Sequence, residues 1–185
     1  MEWVILGIVV ALILYLIVVY NRLVALRQAT GQSWSDVDVQ LKQRHDLIPN
    51  LVETVKGYAA HERGTLDAVI QARNAAANAH GPAAAAAAEG ALSGALGRLF
   101  ALSEAYPDLK ANQNFLSLQG ELSDVENKIA AARRFFNNAV GEYNTAIQSV
   151  PAVFFAGSLG FKPSGFFELP EPERAAVQQV PSVKF

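Results

Sequence analysis

The residues most suggestive of chemistry are His61 and Glu62, because a histidine followed by a glutamate opens the zinc-binding helix of many metalloproteases. That helix needs a second histidine four residues after the first, on the same face, and position 65 is Thr. The pair is therefore read as solvated or bundle-facing. The other concentration of functional groups is His45, Asp46, Asn50 and Glu53, which could face Glu126, Arg133 and Asn137 of a later helix. Such a set could hold a small molecule or an ion. The reading adopted is a polar layer that sets helix register, paired because buried charges must be. Gly94 and Gly97 lack the lysine and the length of a phosphate-cradling loop. No Ser-His-Asp order and no paired-carboxylate geometry is legible. The chain has no cysteine, which excludes disulfides, thiolate metal sites and a cysteine nucleophile. No catalytic residue, cofactor or metal is expected.

Two other groups suit a lipid surface. Arg133 and Arg134 could meet headgroups, although two charges on a long helix read first as a solvated face. Phe154, Phe155, Phe161, Phe166 and Phe167 form an aromatic cluster near the end. They could cap the bundle and bury large apolar area. Equally, they could form an interfacial segment dipping into the bilayer, or a subunit contact. Both readings stay open.

The elements that must position these groups begin with an anchor. Residues 3–20 carry no charge and are mostly Val, Ile and Leu. A helix of that length spans roughly 27 Å, close to the hydrocarbon thickness of a bilayer. Trp3 at one end and Tyr15 and Tyr20 near the other suit the interfacial aromatic belt. No basic residue precedes the run and no small-residue cleavage site follows it, so a transmembrane helix is predicted rather than a signal peptide. Only Glu2 precedes it, whereas Arg22 and Arg27 follow. The positive-inside rule then places the body in the cytoplasm and the N-terminus outside. The anchor explains why 51% of residues are hydrophobic and only 17% charged. With a formal charge of −2 and no basic aromatic face, nucleic acid is not an expected partner.

Beyond the anchor the apolar residues keep a helical period. Trp34, Val37, Leu41, Ile48, Val52, Val55, Ala59, Leu66 and Val69 recur at threes, fours and their sums. Pro49 should remove a hydrogen bond and clash with the carbonyl of His45. The seam passes it in phase, which predicts one long kinked helix rather than two. His80, Gly81 and Pro82 signal a turn, and the alanines at 83–88 start a short helix reaching about Glu104. Its Gly94 and Gly97 either weaken it or allow close helix contact. Pro107 and Asp108 are predicted to open the last helix. Phe115, Leu118, Leu122, Val125, Ile129, Ala132, Phe136, Ala139, Tyr143 and Ile147 give that helix a near-heptad seam ending at Pro151.

The fold class is thus all-α: a transmembrane helix followed by an antiparallel long-helix bundle of three to four helices. Residues 1–21 form the anchor and 22–150 the cytoplasmic bundle. Residues 151–168 form a Gly/Phe-rich amphipathic segment, and 169–185 an extended or disordered tail with prolines.

At this point the residues resemble the LemA family. The matching segments are Tyr20-Asn21, the run Asp46 through Val52, Val55 through Ala59, and His61-Glu62. They continue with Phe136-Asn137, Glu142 through Asn144, Pro151, Gly160-Phe161 and Phe167-Glu168. The resemblance implies a bacterial membrane protein with a cytoplasmic helical bundle and no assigned reaction. A relative that acts in building magnetosome membranes makes scaffolding on membranes the role to expect. No family position carries over as an active site.

The expected function is a membrane-anchored, non-catalytic scaffold that self-associates and organises or remodels membrane. The alternative is a tethered adaptor docking a protease or signalling partner. Expected partners are the lipid bilayer, further copies of the chain and, for the adaptor, a membrane protein. Trp3, Tyr20, Arg22 and Arg27 are the expected membrane contacts. Ile129 and Phe136 are expected at a subunit contact, because the helices predicted within one chain are too few and too short to cover the last seam. The five phenylalanines are the remaining interaction candidates.

Overall fold

In the computed structural model, which describes residues 1–168, the chain is all-helical up to a short C-terminal segment. Helix α1, Glu2–Lys56, is one element of 55 residues that includes both the anchor and the first bundle helix. Its length is about 80 Å. The apolar window of its anchor half has no buried residue, as a helix made for lipid requires. Burial begins at Leu23 and then follows Thr30, Val37, Arg44 and Leu51 at heptad spacing.

Helix α5, Gln113–Gln148, runs antiparallel to α1 and buries the heptad series Phe115, Leu122, Ile129, Phe136 and Tyr143. The register is readable from the pairs. Leu23 clusters with Tyr143 and Ile147, Trp34 packs on Phe136 with ring centroids 5.3 Å apart, and Arg44 reaches Glu126. Between them in sequence, α2 (Arg63–Ala77) and α3 (Pro82–Ser103) form a hairpin. Gly81, at φ +82°, makes the turn that precedes Pro82. The hairpin lies on the far half of the α1–α5 pair, where Ile48, Leu51, Val55, Val69, Leu92, Leu99 and Phe115 share one core. The body is therefore four helices deep far from the anchor and two helices wide next to it.

Several expectations change. Pro49 does lie inside a continuous helix, but the seam does not stay on it. α1 ends at Lys56, residues 57–62 turn, and Leu66 and Val69 belong to α2. A straight helix would carry Leu66 about 27 Å from Ile48, whereas the reversal folds it back onto the same core. Gly57, the weakest helix former at that point, begins the turn. Likewise Pro107 opens only a single turn, α4 (Pro107–Lys110), and not the last helix. Asn112 starts α5 instead, its side-chain oxygen accepting the Phe115 N–H at 3.0 Å. Gly94 and Gly97 face open space, so they do not serve close helix contact.

The apolar seam of α5 is also covered within one chain. Ile129 is 6% exposed and Phe136 2%, packed against Val37, Leu41 and Trp34 of α1. The premise that placed these two side chains at a subunit contact is corrected: α1 is long enough to accompany α5 along its whole length. The expected tail, 169–185, lies outside the described residues.

Candidate membrane-proximal site

After α5 the chain passes the end of the two-helix section. The Val150–Pro151 peptide is cis, and a short 3₁₀ turn, α6 (Ala152–Phe154), leads into further turns ending at Gly160. Gly160 has φ +78°, a conformation that side chains disfavour, and it reverses the chain. Residues 161–168 then return along the bundle as a strap. From 143 to 161 there is no charged residue.

Two asparagines of α5 hold the strap. Asn144 Nδ2 donates to the Ser164 carbonyl at 2.9 Å and its Oδ1 accepts the Ser164 N–H at 2.8 Å. Asn137 treats Phe167 the same way, at 3.1 and 2.9 Å. Each side-chain amide thus replaces a neighbouring β-strand. The spacing explains the pairing. Seven residues of helix rise about 10.5 Å, and three residues of extended chain cover about 10 Å. Hydrophobic contacts complete the seat: Phe167 packs on Trp34 with centroids 5.7 Å apart, and Phe161 meets Tyr20 edge-on at 5.6 Å. The Arg27 guanidinium lies 5.0 Å from the centre of the Phe161 ring, a cation–π contact.

The five phenylalanines therefore divide. Phe161 and Phe167 are buried caps, at 3% and 2% exposed, and Phe155 is half-buried. Phe154 and Phe166 are exposed, Phe154 at 80%. Phe154 is joined on the surface of the loop by Val150, Val153 and Leu159. The loop lies beside the anchor. Phe155 and Leu159 line an apolar groove of about 410 Å³ with Ile13, Leu16, Ile17 and Tyr20. Ile13 is about 10 Å along the helix from Tyr20 toward the N-terminus. Trp3 stands free at the other end of the anchor, and Arg22 lines a second groove between α1 and the end of α5.

The predicted polar layer assembles in a different form. His45 is buried and its Nε2 lies 2.6 Å from Glu89 Oε1. Arg44, also buried, donates to Glu89 Oε2 and to Ser93 Oγ, each at 2.8 Å, and lies 3.3 Å from Glu126. Asp46, Asn50 and Glu53 are exposed, Arg133 is half-buried, and Asn137 serves the strap, so none of these joins the layer. Arg44 and Glu89 were missed. Glu89 had a signal: it is the one Asp, Glu, Lys or Arg between Arg73 and Arg98, set in an alanine-rich helix. His61 is exposed, and Glu62 accepts a hydrogen bond from Tyr106 Oη at 3.2 Å. Desolvation, then this bond and the Glu62 charge, raise the Tyr106 phenol above its ordinary pKa. Among the described residues no group of three His, Asp or Glu converges as metal ligands.

The chain is similar in sequence to several known proteins. The chain is 27% identical to magnetosome protein MamQ 2 of Paramagnetospirillum magneticum, over 86% of this chain and 68% of the relative. It is 28% identical to magnetosome protein MamQ of Magnetospirillum gryphiswaldense, over 85% of this chain and 68% of that protein. To protein LemA of Metamycoplasma hominis it is 28% identical, over 74% of this chain and 63% of that one. The LemA family pattern matches residues 33–185, which include most of the bundle, the uncharged loop and the strap. This membrane-associated helical protein belongs to the LemA family.

Proposed function

We propose that the chain is a non-catalytic scaffold, held in the inner membrane by one span with its body in the cytoplasm, which self-associates and organises or remodels the bilayer. One observation carries this reading: an uncharged loop with exposed Phe154, Val150 and Val153 lies beside the anchor, at the level of Ile13 to Tyr20. Transferring a phenylalanine side chain from water to an apolar phase is worth about 1.5–3 kcal/mol, so the loop prefers lipid. Entering with the anchor from the cytoplasmic side, it adds volume to that leaflet alone, and unequal leaflet area bends a membrane.

Self-association draws on a different surface from the buried seam. Phe135 is 64% exposed beside a groove of about 470 Å³ between α1 and α5, with Gln32 and Asp36 on its far wall. Parallel anchors in one bilayer raise the local concentration of such surfaces. The adaptor reading would instead dock a protease or signalling partner through the C-terminal tail, which lies outside the described residues.

Full-length protein reconstituted into uniform vesicles should narrow or tubulate them and run as an assembly after mild extraction. A Val153→Ser, Phe154→Ser variant should still float with the vesicles but leave their shape unchanged. Round vesicles with the parent protein, together with a monomer in nanodiscs, would sink the scaffold and leave the adaptor.

A further inference from the structure

Two grooves lie beside the anchor, one between it and the loop and a second between it and the end of α5, and the second is not purely apolar. It holds about 320 Å³. Tyr15, Val19 and Ala152 line its membrane end, and Arg22, Thr145 and Glu142 line the rest. The order of charges along the bundle is the informative feature. Thr30 reaches the Ala139 carbonyl at 3.4 Å and Trp34 packs on Phe136, so the antiparallel register sets Arg22 level with the last turn of α5, near Ile147. Glu142 lies about 8 Å farther along α5, away from the loop. The groove therefore runs from hydrocarbon, to a cation, to an anion, as it leaves the membrane. Among the described residues neither Arg22 nor Glu142 has an ion-pair or hydrogen-bond partner.

We propose that this groove binds one phospholipid whose headgroup carries a phosphate followed by a primary ammonium, as in an ethanolamine phospholipid. This rests on the membrane-side placement of the loop argued above. An acyl chain lies along Val19 and Tyr15. The phosphate meets the Arg22 guanidinium, with the Thr145 hydroxyl able to donate a hydrogen bond, and the ammonium donates to the Glu142 carboxylate. A glycerol headgroup supplies no cation for Glu142. A choline headgroup supplies the charge but no N–H. The site thus selects by headgroup rather than by net charge alone, and it fastens the end of α5 to the leaflet that the loop enters.

Gly141 provides a way to close the groove without breaking the helix. It lines the cavity, and a Cβ built there meets nothing within 4 Å. The test is native mass spectrometry of full-length protein extracted from nanodiscs containing equal parts of phosphatidylethanolamine, phosphatidylglycerol and phosphatidylcholine. The parent protein should retain one lipid per chain, with ethanolamine over choline by about fivefold, the upper range for one partly solvated charge pair. Glu142→Gln should bring that ratio to parity, Arg22→Gln should weaken retention of all three lipids, and Gly141→Leu should abolish it. Equal retention of the three lipids by the parent, or a preference that survives Glu142→Gln and Gly141→Leu, overturns the proposal. Depth-dependent quenching by brominated lipids of a Phe154→Trp variant, in which Trp3 and Trp34 are replaced by Phe so that residue 154 alone reports, separates the two ideas. Quenching without headgroup preference removes only this inference, and no quenching removes the loop placement on which it rests.

Discussion

Pro49 shows how one residue can be used by the element opposite it. Its missing N–H leaves the His45 carbonyl, four residues earlier, without its helical donor. Arg73 of α2 donates its Nε–H to that carbonyl at 3.1 Å. The proline therefore exposes an acceptor to which the α2–α3 hairpin is pinned. Arg73→Met should destabilise the fold by about 1 kcal/mol, the net worth of a part-buried hydrogen bond from a charged donor. In a Pro49→Ala background the backbone bond is restored, so the same change should cost clearly less. Equal costs in the two backgrounds, from denaturation in detergent, would show that Arg73 acts elsewhere. Glu89 is the second such residue. It accepts from both Arg44 and His45 in the bundle interior. Glu89→Ala leaves a buried guanidinium with only the half-exposed Glu126 as a counter-charge. The expected loss is about 3–5 kcal/mol. A change below 1 kcal/mol would mean that Glu126 or water replaces it.

The helices were legible to different degrees. α5 announces itself by a heptad of large apolar residues, and α3 by Pro82 and alanine. The ends were harder. Asn112 caps α5 with its own side chain, yet Pro107, a few residues earlier, gave the louder start signal and made only one turn. At the other junction, α1 and α2 keep a common apolar phase through a reversal at 57–62, because the same core reads both. α3 carries Gly94 and Gly97 on its open face, where a methyl group meets nothing. Gly94→Ala and Gly97→Ala should each raise stability by about 0.5–1 kcal/mol. Thermal melts of the full-length protein should show the two gains adding; a loss at either site would mean that this face contacts something in the membrane or in a second copy.

For the whole molecule the decisive quantity is which side of the membrane the body occupies. Arg22 and Arg27 follow the span, and by the positive-inside rule they favour a cytoplasmic body. The chain has no native cysteine, so one introduced thiol reports cleanly. Gly81 is a poor position because its φ of +82° strains any side chain, whereas Ala60 is exposed in the turn after α1. Ala60→Cys should resist an impermeant maleimide in intact cells and react after lysis. Labelling of intact cells would reverse the orientation and move the loop to the outer leaflet.

Properties set by composition and local period were present in the sequence by itself. Eighteen uncharged residues make a lipid-facing helix, and a seven-residue apolar repeat demands a partner helix. The sequence also brought together the LemA resemblance and an uncharged phenylalanine-rich segment, but left that segment either a cap or a lipid contact. Only the tertiary structure divided it, burying Phe161 and Phe167 while leaving Phe154 exposed beside the anchor. The reason is physical. Burial of these rings depends on Asn137 and Asn144, which catch backbone groups 30 and 20 residues away, and on an 80 Å helix that serves as both anchor and bundle. Local pattern carries no information about which distant backbone an asparagine will meet. The same holds for Arg44 and Glu89, charged residues that become interior only when α1 and α3 close on each other.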